Sequence, residues 1–142
     1  MYLQSFGLQR VSESQVISGS WAASFYEVDD GGSVRQLTNA AGAVTDTYEY
    51  DAFGNKINST STTPNNYLHR AEQYDSDLGL YYLRGRYLNP AIGRFLSVDP
   101  LADEGQRRYE YAGADPVNGM GPTGNEDIIE YALLIHFRLR CL

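Results

Sequence analysis

One punctuation pattern constrains this chain more than any other feature: a strand-like stretch, then Asp or Asn, then Gly a few residues on. Tyr26-Glu27-Val28-Asp29-Asp30-Gly31-Gly32 is echoed by Tyr48-Glu49-Tyr50-Asp51-Ala52-Phe53-Gly54, and both Asp29 to Asp51 and Gly32 to Gly54 span 22 residues. A looser copy, Tyr74-Asp75-Ser76-Asp77-Leu78-Gly79, has one extra residue before its glycine. A fourth, Tyr87-Leu88-Asn89-Pro90-Ala91-Ile92-Gly93, replaces Asp with Asn. Alternate residues of a strand face opposite ways, so Tyr48 and Tyr50 share one face and Glu49 takes the other. An Asp at the strand end can accept backbone N–H groups two residues on, and the glycine can take positive φ. Asn39-Ala40-Ala41-Gly42 supplies the same turn between strands expected at 33–37 and 43–50. A repeat of this period is a chain of β-hairpins.

Composition agrees. Twelve Tyr and fourteen Gly with only 20% charged residues favour strands and tight turns over exposed helices. A length of 142 residues suits one domain with a modest core. The net charge of −7, from 11 basic against 18 acidic residues, argues against a nucleic-acid partner, whose phosphates need clustered Lys and Arg. Cys141 is the single cysteine, so neither an internal disulfide nor a cysteine zinc site is expected, and His69 and His136 stand far apart in sequence. No metal or cofactor is expected. The N-terminal residues lack the basic start and apolar stretch of a signal peptide. The apolar cluster at 128–139 is interrupted by Glu130, His136 and Arg138 and is too short to span a bilayer, so membrane insertion by this segment is not expected.

The expected organisation is hairpins over 1–57, a polar loop at 58–67, an aromatic and Gly/Pro-rich segment over 68–124, and a helical tail at 125–142. Within the third part, 80–88 reads as one strand with Tyr81, Leu83 and Tyr87 on one face and Tyr82, Arg84, Arg86 and Leu88 on the other. A second short strand is expected at 94–98. In the tail, Asn125 is an N-cap candidate, and Ile128, Tyr131, Ala132, Ile135 and Leu139 follow helical spacing, which predicts a helix over about 126–139. The fold class is mainly β, with an antiparallel sheet, an irregular Gly/Pro-rich segment and one C-terminal helix.

Several motifs in order carry a resemblance. Gly32-Ser33-Val34-Arg35-Gln36-Leu37-Thr38 and Tyr48-Glu49-Tyr50-Asp51-Ala52-Phe53-Gly54-Asn55 resemble the YD repeats of RHS proteins. Gly79-Leu80-Tyr81-Tyr82-Leu83-Arg84-Gly85-Arg86-Tyr87, Gly93-Arg94-Phe95-Leu96-Ser97-Val98-Asp99-Pro100 and Asp115-Pro116-Val117-Asn118 resemble the RHS repeat-associated core, and the likeness spans about residues 1–124. The resemblance implies a bacterial protein, secreted or on the cell surface as part of its parent, whose hairpins wind into a hollow shell around a polymorphic toxin. The implied partners are the remainder of that shell and a C-terminal toxin or its delivery machinery. Eighteen residues follow Gly124, too few for a toxin domain, so none is expected in this chain.

The resemblance also implies self-cleavage by two aspartates, one acting as base and one as acid, since close apposition separates their pKa values. Asp99, in Asp99-Pro100-Leu101-Ala102, matches one of them. The second motif reads Gly121-Pro122-Thr123-Gly124, so Gly121 stands where the partner aspartate is expected, and Asn125 stands where a leucine often precedes the cut. Asp115 and Asp103 could substitute only with unusual geometry. Self-cleavage is therefore expected to be absent or very slow, and the chain is not expected to be an enzyme; Asp99-Pro100 would then be a turn former. The leading expectation is a structural shell segment. The alternatives are an aspartyl autoprotease remnant and a carbohydrate- or surface-binding module built on exposed tyrosines.

Overall fold

A computed structural model describes residues 2–6, 10–17, 19–101 and 108–125; the helix expected at 126–139, and Asp103, fall outside them. The described chain is mainly β, in two antiparallel sheets, with only short 3-10 turns at His69–Ala71 and Ala112–Ala114. It divides into two compact units, Met1–Gln73 and Tyr74–Leu142.

The first unit is a six-stranded meander of β1 (Tyr2–Phe6), β2 (Arg10–Ile17), β3 (Ser20–Val28), β4 (Val34–Asn39), β5 (Val44–Tyr50) and β6 (Lys56–Thr60). Its spatial order is the sequence order, so each strand pairs with its chain neighbours and β1 and β6 are the outer strands. The repeat explains why. Asp51 Oδ1 accepts the N–H groups of Phe53 and Asn55, each at 2.9 Å, and Gly54 closes the turn at φ +93°. Asn39 Oδ1 does the same for Ala41 and Ala43, each at 3.0 Å, with Gly42 at φ +78°. Asp29 accepts Ser33 N–H at 2.9 Å and the Arg35 guanidinium at 2.8 Å, with Gly32 at φ +81°. Gly54 is bound by sterics as well, because a Cβ there would sit 2.8 Å from the His69 ring. Register shifts near Val28, Thr38 and Tyr50 mark bulges that add local twist.

Register divides the faces. Glu13, Gln15, Ser24, Leu37, Asp46, Tyr48 and Tyr50 are covered, while Val16, Trp21 and Phe25 are exposed on the other side. Tyr48 and Tyr50 stack with centroids 6.5 Å apart, and Glu49 between them is exposed. Residues 58–60, expected in a loop, pair with β5 as part of β6. Residues 61–67 are non-strand but pinned across the covered face. Asp46, fully buried, accepts the N–H groups of Thr62 and Thr63 at 2.7 and 2.9 Å and the hydroxyls of Thr63 and Thr45 at 2.7 and 2.6 Å. Tyr48 meets Ser61 at 3.1 Å, Tyr26 donates to Asn65 at 3.1 Å, and Gln15 donates to the Pro64 carbonyl at 3.2 Å. Burial, and then the neighbouring Glu13, raise the Tyr26 phenol above its ordinary value.

The second sheet has the order β10-β9-β8-β7, formed by β7 (Gln73–Asp75), β8 (Leu80–Leu83), β9 (Arg86–Asn89) and β10 (Arg94–Phe95). The strand expected at 80–88 is thus a hairpin. Arg84 at φ +59° and Gly85 make its turn, and two turn residues reverse the chain direction. Tyr82 pairs with Tyr87 on the exposed face, whereas Tyr81, Leu83, Arg86 and Leu88 are buried with Phe95 and Tyr111. The strand expected at 94–98 is strand only at Arg94–Phe95.

Candidate functional site

The β8–β9 turn builds the most elaborate polar site of the second unit. Arg86 is 5% exposed, and its guanidinium lies 3.7 Å from the centroid of the Phe95 ring. A buried guanidinium carries five N–H donors that must find acceptors. Nη2 donates to Asp99 Oδ2 at 2.7 Å, Nη1 donates to the Arg108 carbonyl at 3.1 Å, and Nε donates to the Gly124 carbonyl. The neighbouring turn residues extend this grip. Arg84 Nη1 donates to the Pro122 carbonyl, and the Gly85 N–H donates to the Thr123 carbonyl at 3.0 Å. Three successive carbonyls, 122 to 124, are therefore held by three successive residues of one hairpin turn.

Asp99 lies in this network through the backbone as well, its N–H donating to the Arg108 carbonyl at 2.9 Å. Its second carboxylate oxygen, Oδ1, accepts the Leu101 N–H at 2.9 Å, two residues on, as Asp51 Oδ1 accepts that of Phe53. Both Asp99 oxygens thus accept a donor from within the unit. Gly121 is buried, with its carbonyl accepting the Gly124 N–H at 3.1 Å, and contributes no side chain. Asp115 serves its own turn, accepting the Asn118 side-chain amide at 2.9 Å, and that hydrogen bond lowers its carboxyl below the ordinary value. Among the described residues no second carboxylate is hydrogen-bonded within the Asp99–Arg86 network. The arrangement holds a peptide segment by its carbonyl oxygens.

Sequence reasoning found Asp99 from its motif but missed Arg86 as the organiser. The expected single strand put Arg84 and Arg86 together on the face of Tyr82. The turn at Arg84-Gly85 instead sends Arg86 into the core beside Leu83. The available signal was Gly85 between two arginines, a glycine inside a strand pattern.

Among the described residues no group of His, Cys, Asp or Glu could hold a metal ion. No described helix is long and apolar enough to cross a membrane.

No family model matches the chain. It is 35% identical over 111 residues to the tRNA nuclease WapA of Bacillus subtilis, covering 71% of this chain and 5% of that protein. It is 32% identical over 106 residues to the double-stranded DNA deaminase toxin A of Burkholderia cenocepacia, covering 70% of this chain and 7% of that protein. A further relative, the putative uncharacterized protein YibJ of Escherichia coli, is 33% identical over 108 residues, covering 75% of this chain and 46% of that protein. The chain thus spans a small part of the toxins it resembles. Among solved structures, the TcdB2-TccC3 crystal structure superposes with a TM-score of 0.69 at 22% identity, covering 83% of this chain and 7% of that chain. The Photorhabdus luminescens Tc holotoxin pore gives 0.71 at 21% identity, covering 85% and 7%. The hairpin meander and the arginine-clamped second sheet therefore have the fold that a short stretch of these Tc toxin structures adopts.

Proposed function

We propose that this chain is a wall segment of an RHS-type shell that encloses a toxin, carried by a protein that is secreted or displayed at the cell surface. One observation supports this reading above the others: the strands of the first unit are added in sequence order, each new hairpin pairing with the last. Such a sheet has no built-in stop. β1 and β6 each present an edge of backbone donors and acceptors, and an exposed edge pairs with whatever strand adjoins it. Adjoining hairpins of the same kind extend the sheet into a wall. The partners are the neighbouring shell and the cargo it encloses, and the site chemistry is structural.

The test is a transplant. Residues 1–124 replace the matching stretch of TcdB2-TccC3, and the purified chimera is imaged by electron microscopy. A closed shell with continuous wall density is expected. A chimera that folds elsewhere but gapes at the graft would overturn the reading.

A second reading, a relic of aspartyl self-cleavage, draws on the Arg86 guanidinium that binds both Asp99 and the Gly124 carbonyl. Gly121→Asp in the chimera would supply the missing acid partner. Hydrolytic product from that variant but not from the parent supports the relic; none from either removes it.

A further inference from the structure

The outward face of the second sheet carries a pair of phenols that the shell reading does not use. Tyr82 of β8 stands directly opposite Tyr87 of β9, with ring centroids 5.1 Å apart and ring planes tilted by 44°. The Tyr87 carbonyl accepts the Leu96 N–H at 2.9 Å, so the backbone polar groups of Tyr87 face β10. Tyr82 and Tyr87 are therefore a non-hydrogen-bonded pair, the class of cross-strand pair whose side chains approach most closely. Their chain neighbours Tyr81 and Leu88 point the other way into the core, which holds the two strands in this register. Both facing rings are open to solvent, at 40% and 41% exposure. Other tyrosines in ring contact differ in this respect. Tyr74 and Tyr81 lie 4.9 Å apart, but Tyr81 is 1% exposed, and Tyr48 and Tyr50 are both buried. Among the described tyrosine pairs in ring contact, Tyr82 and Tyr87 are the one with both members accessible.

We propose that Tyr82 and Tyr87 form an oxidative cross-linking site, joined as a dityrosine when a peroxide-driven one-electron oxidant reaches them. Each hydroxyl gives up a hydrogen atom to the oxidant, leaving a phenoxyl radical with unpaired density on the ring carbons ortho to oxygen. The two radicals couple, forming one bond between a Cε of Tyr82 and a Cε of Tyr87. The hydrogen on each of those carbons then moves to its oxygen, which restores both phenols. The net change is one C–C bond in place of two C–H bonds, with one hydrogen peroxide reduced to two waters. A radical on either ring has its coupling partner already against it, so proximity replaces diffusion. The open face admits the oxidant to both hydroxyls, whereas burial shields Tyr81. The bond closes across the Arg84-Gly85 turn and ties together the strands of the hairpin that holds the carbonyls of Pro122, Thr123 and Gly124. This chemistry is independent of whether the chain walls a shell.

The experiment treats the purified full chain, kept dilute, with hydrogen peroxide and a haem peroxidase, and digests the product with trypsin. Cleavage after Arg70, Arg84, Arg86 and Arg94 places Tyr82 on the peptide 71–84 and Tyr87 on the peptide 87–94. The proposal expects these two peptides to appear joined and lighter by two hydrogens than their sum. The joined peptide should carry the blue fluorescence of dityrosine and fragment ions that place the link at Tyr82 and Tyr87. Tyr82→Phe and Tyr87→Phe keep the packed rings and remove only a hydroxyl, and each should abolish the joined peptide. Tyr74→Phe and Tyr109→Phe should leave it at the parental yield. In urea sufficient to unfold the chain, coupling should spread to other tyrosines. Absence of the link, its survival in either Tyr82→Phe or Tyr87→Phe, dityrosine found only between copies, or unchanged selectivity in urea would each overturn the proposal.

Discussion

At the scale of single residues, the second unit is organised by a charge that has nowhere to go but its partners. The Arg86 side chain is 4% exposed and that of Asp99 17% exposed, so the pair is screened little by solvent on the arginine side. Removing one member leaves the other charge uncompensated, and it frees the carbonyls of Arg108 and Gly124 as well. Arg86→Met is expected to cost about 3 kcal/mol in urea unfolding, the lower end for breaking a buried pair because Asp99 retains some water. A loss below about 1 kcal/mol would mean the pair behaves as a surface bridge. His69 is the corresponding residue of the first unit. Ser33 Oγ lies 3.3 Å from Nδ1 and accepts the Arg70 N–H at 3.1 Å, leaving its own hydrogen for the ring. Burial foremost, then the charge of Arg70, push the imidazole down from 6.5 to about 4. The folded state therefore binds this proton less readily than the unfolded state. The site's contribution to stability is complete above pH 6.5, falls as pH drops toward about 4, and is level below that. Urea midpoints measured across that interval should slope downward with acid, and His69→Gln should flatten the slope. Asp99 was legible in the sequence because Asp99-Pro100-Leu101-Ala102 is a local motif. Arg86 was not, because its burial depends on where a turn reverses the chain, one residue away from where an unbroken strand would leave it exposed.

At the scale of elements, the turns decide most of the architecture, and the polar connections carry as much order as the strands. The hairpins from Tyr26 to Gly54 follow from local chemistry at Asp29, Asn39 and Asp51, which is why their boundaries were readable. The polar stretch at 58–67 was not readable in the same way. Its Ser, Thr and Asn composition signals a loop, yet β6 takes its first residues, and Asp46, sixteen or more residues earlier in the chain, pins Thr62 and Thr63. Low complexity describes the side chains of a segment and says nothing about a distant acceptor waiting for its N–H groups. For Asp46, burial works to raise the carboxyl, but the hydrogen bonds from Thr45, Thr63 and Thr62 outweigh it and hold it below its ordinary 3.8. The anchor is complete above that value and is lost as pH falls below it. Asp46→Ala is expected to cost about 2 kcal/mol, in the range for hydrogen bonds to a charged group, and to release the amides of Thr62 and Thr63 to rapid hydrogen exchange. Unchanged protection of those two amides would show that the loop is held by other contacts.

At the scale of the whole molecule, the pertinent fact is that the six-stranded sheet is open. A strand order identical to the sequence order, with bulges that twist it and matching turns 22 residues apart at Asp29 and Asp51, describes an open sheet. The sequence carried the repeat, and hence the open growth. The wall account makes one demand on the physics: the outer strands must gain partners in the assembled shell that they lack alone. Residue-resolved hydrogen exchange on the isolated chain and on the TcdB2-TccC3 graft tests this most directly. The account predicts that outward-facing amides of β1 and β6 exchange freely in the isolated chain and slow by orders of magnitude in the graft, while β3 to β5 are protected in both. Equal protection of β1 and β6 in the two settings would contradict it.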